Sequence, residues 1–102
     1  MPKYLIEASY SADGLKGLQK DKAAGRKAAV AKAVESLGGK LEAFYYALGD
    51  KDVISIVDLP NAVSATALAL SASGTGLVRT KTTALLTVEE TDQALGKKVD
   101  LR

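Results

Sequence analysis

Apolar and polar residues change their rhythm six times along this chain. Lys3 to Tyr10 alternates, with Tyr4, Ile6, Ala8 and Tyr10 on one side and Leu5, Glu7 and Ser9 on the other, the period-two signature of a strand. Asp13 then precedes Gly14-Leu15-Lys16-Gly17-Leu18, which reads as an N-cap followed by one brief helical turn weakened by its glycines. From Asp21 to Leu37 the period becomes helical. Ala23, Arg26, Lys27, Val30, Val34 and Leu37 recur along one stripe with lysines opposite, and Gly38-Gly39 stops the helix.

Two apolar, aromatic and β-branched runs follow, Lys40 to Leu48 and Val53 to Leu59, facing each other across Gly49-Asp50-Lys51-Asp52. Glycine supplies a positive φ and aspartate bonds its own backbone, so the four residues predict a hairpin turn. A symmetric pairing sets Leu48 opposite Val53, Tyr46 opposite Ser55 and Phe44 opposite Val57. Phe44, Leu48, Val53, Val57 and Leu59 then share one face, and Leu41, Tyr45, Ile54 and Ile56 the other. The second run is apolar on both faces except at Ser55 and Asp58, as befits a central strand.

Pro60 ends that strand and Asn61 caps a helix from Ala62 to about Ala72, whose small residues are expected to let it lie close on a sheet. Ser73-Gly-Thr-Gly76 closes the helix, Leu77 to Val88 reads as a last strand, and Glu89 to Leu95 as a short acidic helix. The order strand, helix, two strands, helix, strand requires right-handed crossovers. It therefore predicts an α+β, ferredoxin-like βαββαβ domain, with both main helices on one face of a four-stranded antiparallel sheet. Residues 1–95 form that domain and 96–102 a charged tail.

Composition narrows the chemistry. A chain of 102 residues is one domain that buries about two-thirds of its unfolded surface. It has no cysteine and no histidine, which removes thiolate and imidazole metal sites, histidine-dependent triads and the usual general base. No metal or cofactor is expected. Fourteen basic against twelve acidic residues leave a net charge of +2, too balanced for a dedicated nucleic-acid binder. No run is long and apolar enough to span a membrane, and the opening Met1 to Glu7 is too short and acidic for a signal peptide, so a cytoplasmic location is expected.

Several stretches, taken in order, resemble a known family. They are Gly14-Leu15-Lys16, Arg26, Leu37 to Leu41, Ala43 to Val53, Leu59-Pro60 and Gly76 to Thr80. Together they are similar to the GYD-domain family, small bacterial proteins of the dimeric α/β-barrel group. The resemblance implies a fold and a homodimer or larger closed assembly more than a reaction. Lys51 stands where the family's Gly-x-Tyr-Asp turn has its tyrosine, so no role of that tyrosine carries over.

The candidate site residues are Arg26, Tyr46 and Asp58. Arg26 presents a planar fork suited to a carboxylate, though pairing with an acid of its own chain is the plainer reading. Tyr46 is placed to orient a ligand hydroxyl or carbonyl, or else to bond a backbone group from the core. Asp58 interrupts an apolar strand and becomes a general base if Glu7 lies beside it, since two close carboxylates raise one pKa. The leading functional reading is a homo-oligomeric structural or small-ligand-binding domain that takes a small anionic or carbonyl ligand. A cofactor-free isomerase or monooxygenase and a protein-binding adaptor are the alternatives, and the residues alone leave open whether the protein is an enzyme.

Overall fold

The computed structural model describes residues 1–102. β1 (Lys3–Tyr10) is followed by α1 (Ala12–Ser36), β2 (Lys40–Tyr46), β3 (Val53–Asp58), α2 (Ala62–Gly74), β4 (Val78–Leu85) and α3 (Val88–Leu95). The strands form one antiparallel sheet in the order β2-β3-β1-β4, and α1 and α2 cover a single face. This is the ferredoxin-like arrangement, extended by a third helix. No helix is long and apolar enough to cross a membrane.

Local signals explain most element ends. Gly38 takes a positive φ of 78°, and the Gly38 and Gly39 amides donate to the Glu35 and Val34 carbonyls, the two bonds of a Schellman motif. The Asn61 side chain accepts from the Ser64 amide at 2.9 Å and starts α2. The core joins Tyr4, Ile6, Val57 and Leu59 of the sheet segment to Val34 of α1 and Ala65 of α2.

Several expectations need correction. The cap of α1 is Ser11, whose hydroxyl accepts from the Gly14 amide, and Asp13 sits within the first turn. The first helical stretch is longer than one brief turn, running from Ala12 to the break at Lys22, where φ is 66° and ψ 167°, and beyond that break the second stretch runs on to Ser36 as expected. The hairpin closes earlier than a symmetric reading gives. The Ala47 amide donates to the Asp52 carbonyl, so the turn is Leu48 to Lys51 and Tyr46 lies opposite Val53. Asp52 causes this shift, because its amide donates to Ala8 and its carboxylate accepts from the Tyr10 amide at 2.8 Å, which ties the turn to the end of β1. Leu48 is left fully exposed at the tip.

A bulge between Leu41 and Ala43 then reverses the facing of β2's start. Leu41 comes opposite Val57 and packs on the core, not on the open face with Tyr45, Ile54 and Ile56. The last strand is shorter than expected, ending at Leu85.

Candidate functional site

α2 packs on the sheet through Ala65, which is buried in the core, but beyond it the layers part. Ala69 and Ala72 of α2, Ala29 and Ala33 of α1, Ala8 of β1, and Gly14 and Gly17 all border a cavity of about 350 Å³ between the helices and the sheet. Larger apolar side chains complete the wall: Ile6, Val30, Phe44, Val53, Val57, Leu68 and Val78. Protein interiors pack to crystal-like density and tolerate few voids larger than a water molecule. This space is a cleft partly open to solvent, and it is left between the layers where many small side chains from different elements face each other.

Hydroxyls of Ser55, Ser71, Thr75 and Thr80 are spread around the wall, but its charge is confined to one residue. Arg26 is the single charged residue of its wall. Its guanidinium reaches Asp21 at 3.4 Å, a loose pair spanning the break at Lys22. That distance is long for a charge-assisted hydrogen bond, so the planar donor set is only partly engaged. Tyr10 also lines the cavity. Tyr46 stands beside it, edge-to-face on Phe44 with ring centroids 5.3 Å apart, and donates its hydroxyl to the Ala23 carbonyl at 2.9 Å. Burial pushes both the Tyr10 and the Tyr46 phenols above their ordinary value, and the charge of Arg26 acts against both shifts. Arg26, Tyr10 and Tyr46 thus share one electrostatic neighbourhood. The Ser55 hydroxyl is committed to the Ile6 carbonyl at 3.1 Å, and no buried side-chain polar atom lacks a partner.

Of the residues singled out from the sequence, Arg26 and Tyr46 come together here. Both plainer readings of them also hold geometrically, since Arg26 has its acid in Asp21 and Tyr46 has its backbone carbonyl. Tyr46 is 39% exposed, however, so it belongs to the rim and not to the core. Asp58 is elsewhere. It lies on the uncovered face of the sheet and pairs with Lys3 at 2.8 Å, while Lys3 also reaches Glu42 at 2.7 Å. Glu7 is not its neighbour: Glu7 sits opposite Ile54 and Asp58 opposite Lys3, four residues along the ladder. The carboxylate pair that would have raised a pKa is not assembled. Tyr10 escaped the sequence reading, because alternation marks it only as an inward-facing strand residue. No three His, Cys, Asp or Glu side chains gather in one place.

Fold and cavity together define a ferredoxin-like α+β domain with a ligand-sized apolar cleft, partly open to solvent, and one cation at its wall. The chain belongs to the GYD-domain family, whose model matches residues 4–95. No curated protein and no solved structure matches it.

Proposed function

We propose that this GYD domain is a homo-oligomeric small-ligand-binding protein whose ligand has an apolar body and one anionic or carbonyl head. The observation that carries the reading is the cavity of about 350 Å³ with Arg26 as its sole charge. At about 30 Å³ for each heavy atom, that space suits roughly a dozen non-hydrogen atoms. The body takes the place of water against Ile6, Phe44, Val53 and Leu68, and the head meets the Arg26 fork, displacing the loose contact to Asp21. Binding fits the chemistry better than catalysis does. The wall holds no carboxylate, and the nearby Asp52 is engaged by the Tyr10 amide. A phenol whose pKa is raised is a poor general base at neutral pH.

Assembly is supported by the uncovered face of the sheet. Leu5, Ile54, Ile56 and Tyr45 lie on it with no layer above them, and Tyr45 is 69% exposed. An apolar strip of this kind favours self-association.

Titration calorimetry with decanoate, and with the methyl ester and alcohol of the same chain length, tests the ligand reading. Decanoate is expected to bind, with Arg26→Ala weakening it by about 10- to 100-fold through loss of a charge-assisted contact worth about 1.5–3 kcal/mol. The alcohol should be indifferent to Arg26→Ala. Equal affinity of all three probes, unchanged by the substitution, would remove Arg26 from the site; binding by none of them would reject the site altogether.

A further inference from the structure

Two apolar helix faces have no partner within the chain. α2 contains no charged residue, and its outward side is as apolar as its inward one. Val63 and Leu70 are 78% and 69% exposed and border a shallow groove with Ala62, Thr66 and Ala67. A helix apolar on all sides is normally covered on all sides. The second such face belongs to α3. Its start is strongly specified, with the Thr87 hydroxyl accepting from the Glu90 amide and the Glu90 carboxylate accepting from the Thr87 amide. Yet every residue from Leu86 to Arg102 is exposed, Val88 and Leu95 at 76% and 78%. A helix of eight residues is marginal in water by itself, so its stability has to come from packing on something else.

We propose that α3 of one copy lies in the α2 groove of a second copy, and that the exchange is reciprocal about a two-fold axis. The two faces match in spacing. Val88 and Leu95 are seven residues apart with Thr91 and Asp92 between them, and Val63 and Leu70 are seven apart with Thr66 and Ala67 between them. Seven residues span about 10.5 Å of helix, so both large residues of one stripe register with both of the other. The short side chains in the middle allow the close axial approach of packed helices. Glu89, Glu90 and Gln93 fall away from the stripe by helical phase, whereas Asp92 flanks it on the side opposite Thr91, at the margin of the contact.

The area involved is sufficient. The chain exposes 7214 Å², roughly 1,700 Å² more than a compact monomer of its mass. A stable interface needs about 800 Å² from each partner. The excess arises from an extended shape, 53 Å in its longest dimension, with a radius of gyration of 15.7 Å against about 13 Å for a compact chain. Only Leu86 and Thr87 join β4 to α3, and α3 makes no substantial packing on any element of its own chain. A second copy is the fitting occupant because every chain carries both faces, and a two-fold exchange covers all four at once.

The absence of cysteine makes the test direct, since each introduced thiol is unique. Leu70→Cys chains are mixed with either Val88→Cys or Leu95→Cys chains and oxidised mildly. One of the two mixtures, according to the direction of the docked helix, should form a disulfide-linked dimer at least tenfold faster than either chain alone. Light scattering of Leu95→Asp should show half the molar mass of the parent, with unchanged circular dichroism in the sheet region because Leu95 supports nothing in its own chain. Three results would overturn the proposal: no cross-link from either mixture, a cross-link at monomer mass in the Leu70→Cys/Leu95→Cys double variant, or an unchanged molar mass for Leu95→Asp.

Discussion

Replacing Ala69 with leucine asks whether the cavity is real and whether it is for binding. Ala69 lies on α2 and borders the space between helices and sheet. Leucine adds three carbons, which at about 30 Å³ each occupy roughly a quarter of the available volume. Nothing therefore has to move to admit them. Burial is worth about 0.8 kcal/mol per methylene, or about 2.4 kcal/mol for the three. Ordering a leucine side chain costs about 0.5–1 kcal/mol, and its helix propensity is close to that of alanine. The net expectation is a stabilisation of about 1.5 kcal/mol, or roughly 6–12 °C in melting temperature for a domain of this size. Binding should move the other way. A saturating ligand at 100 times its Kd adds about 2.7 kcal/mol to the parent protein. The variant has lost the space and should show little of that shift. Urea denaturation with and without decanoate measures both effects. A destabilised Ala69→Leu protein would mean that the helices already meet the sheet in solution and leave no space for a ligand there.

Other substitutions probe the frame around the site. A Cβ on Gly39 would stand 2.2 Å from the Asp58 carbonyl oxygen and 2.7 Å from the fully buried Leu59 side chain. Gly39→Ala should accordingly cost about 3 kcal/mol or more in urea denaturation, beyond ordinary overpacking because backbone has to yield. A loss below 0.5 kcal/mol would show that β3 does not approach α1's end so closely. Lys22→Gly should stabilise the protein by about 0.5–2 kcal/mol, since a non-glycine residue at φ 66° and ψ 167° is strained. A destabilised variant would indicate that α1 is unbroken in solution. Stability should also decline in alkali. Burial raises the Tyr10 phenol, and hydrogen bonds to Asp58 and then Glu42 raise the Lys3 ammonium. Both groups are protonated more readily in the folded chain, so their contribution is complete below pH 10 and is lost as pH rises through the raised values. Urea midpoints measured from pH 9 to 11.5 should fall, less steeply in Tyr10→Phe, and equal slopes for the two proteins would refute the assignment to Tyr10.

The elements of this protein were legible because their signals are local. Alternation over Lys3 to Tyr10, Gly38-Gly39 after a helical stripe, Pro60-Asn61 ahead of α2 and the acidic run of α3 each act within a few consecutive residues. Capping bonds and propensities reach no further than that, so the sequence states them directly. Topology followed as well, since right-handed crossovers leave one economical arrangement for this order of elements. Register did not follow. Whether the hairpin pairs Leu48 or Tyr46 with Val53 depends on Asp52 engaging the amide of Tyr10, a residue 42 positions away. The same holds for Asp58, an isolated acid in the sequence whose partner Lys3 is 55 positions distant.

The candidate site was half visible for the same reason. Arg26 and Tyr46 could be picked out singly, but Tyr10 and the space that it and Arg26 border could not. A cavity is a shortfall of volume summed over two helices and four strands, and no single stretch records that sum. Alanines on one helix mean close packing if the facing sheet is also small, and a void if the elements are held apart by larger side chains elsewhere. In this protein Val34, Val57 and Leu59 are fully buried in the core, whereas the alanines further along the helices leave space unfilled. Only their joint placement in the tertiary structure turns Ala8, Ala29, Ala33, Ala69 and Ala72 into a wall around empty space.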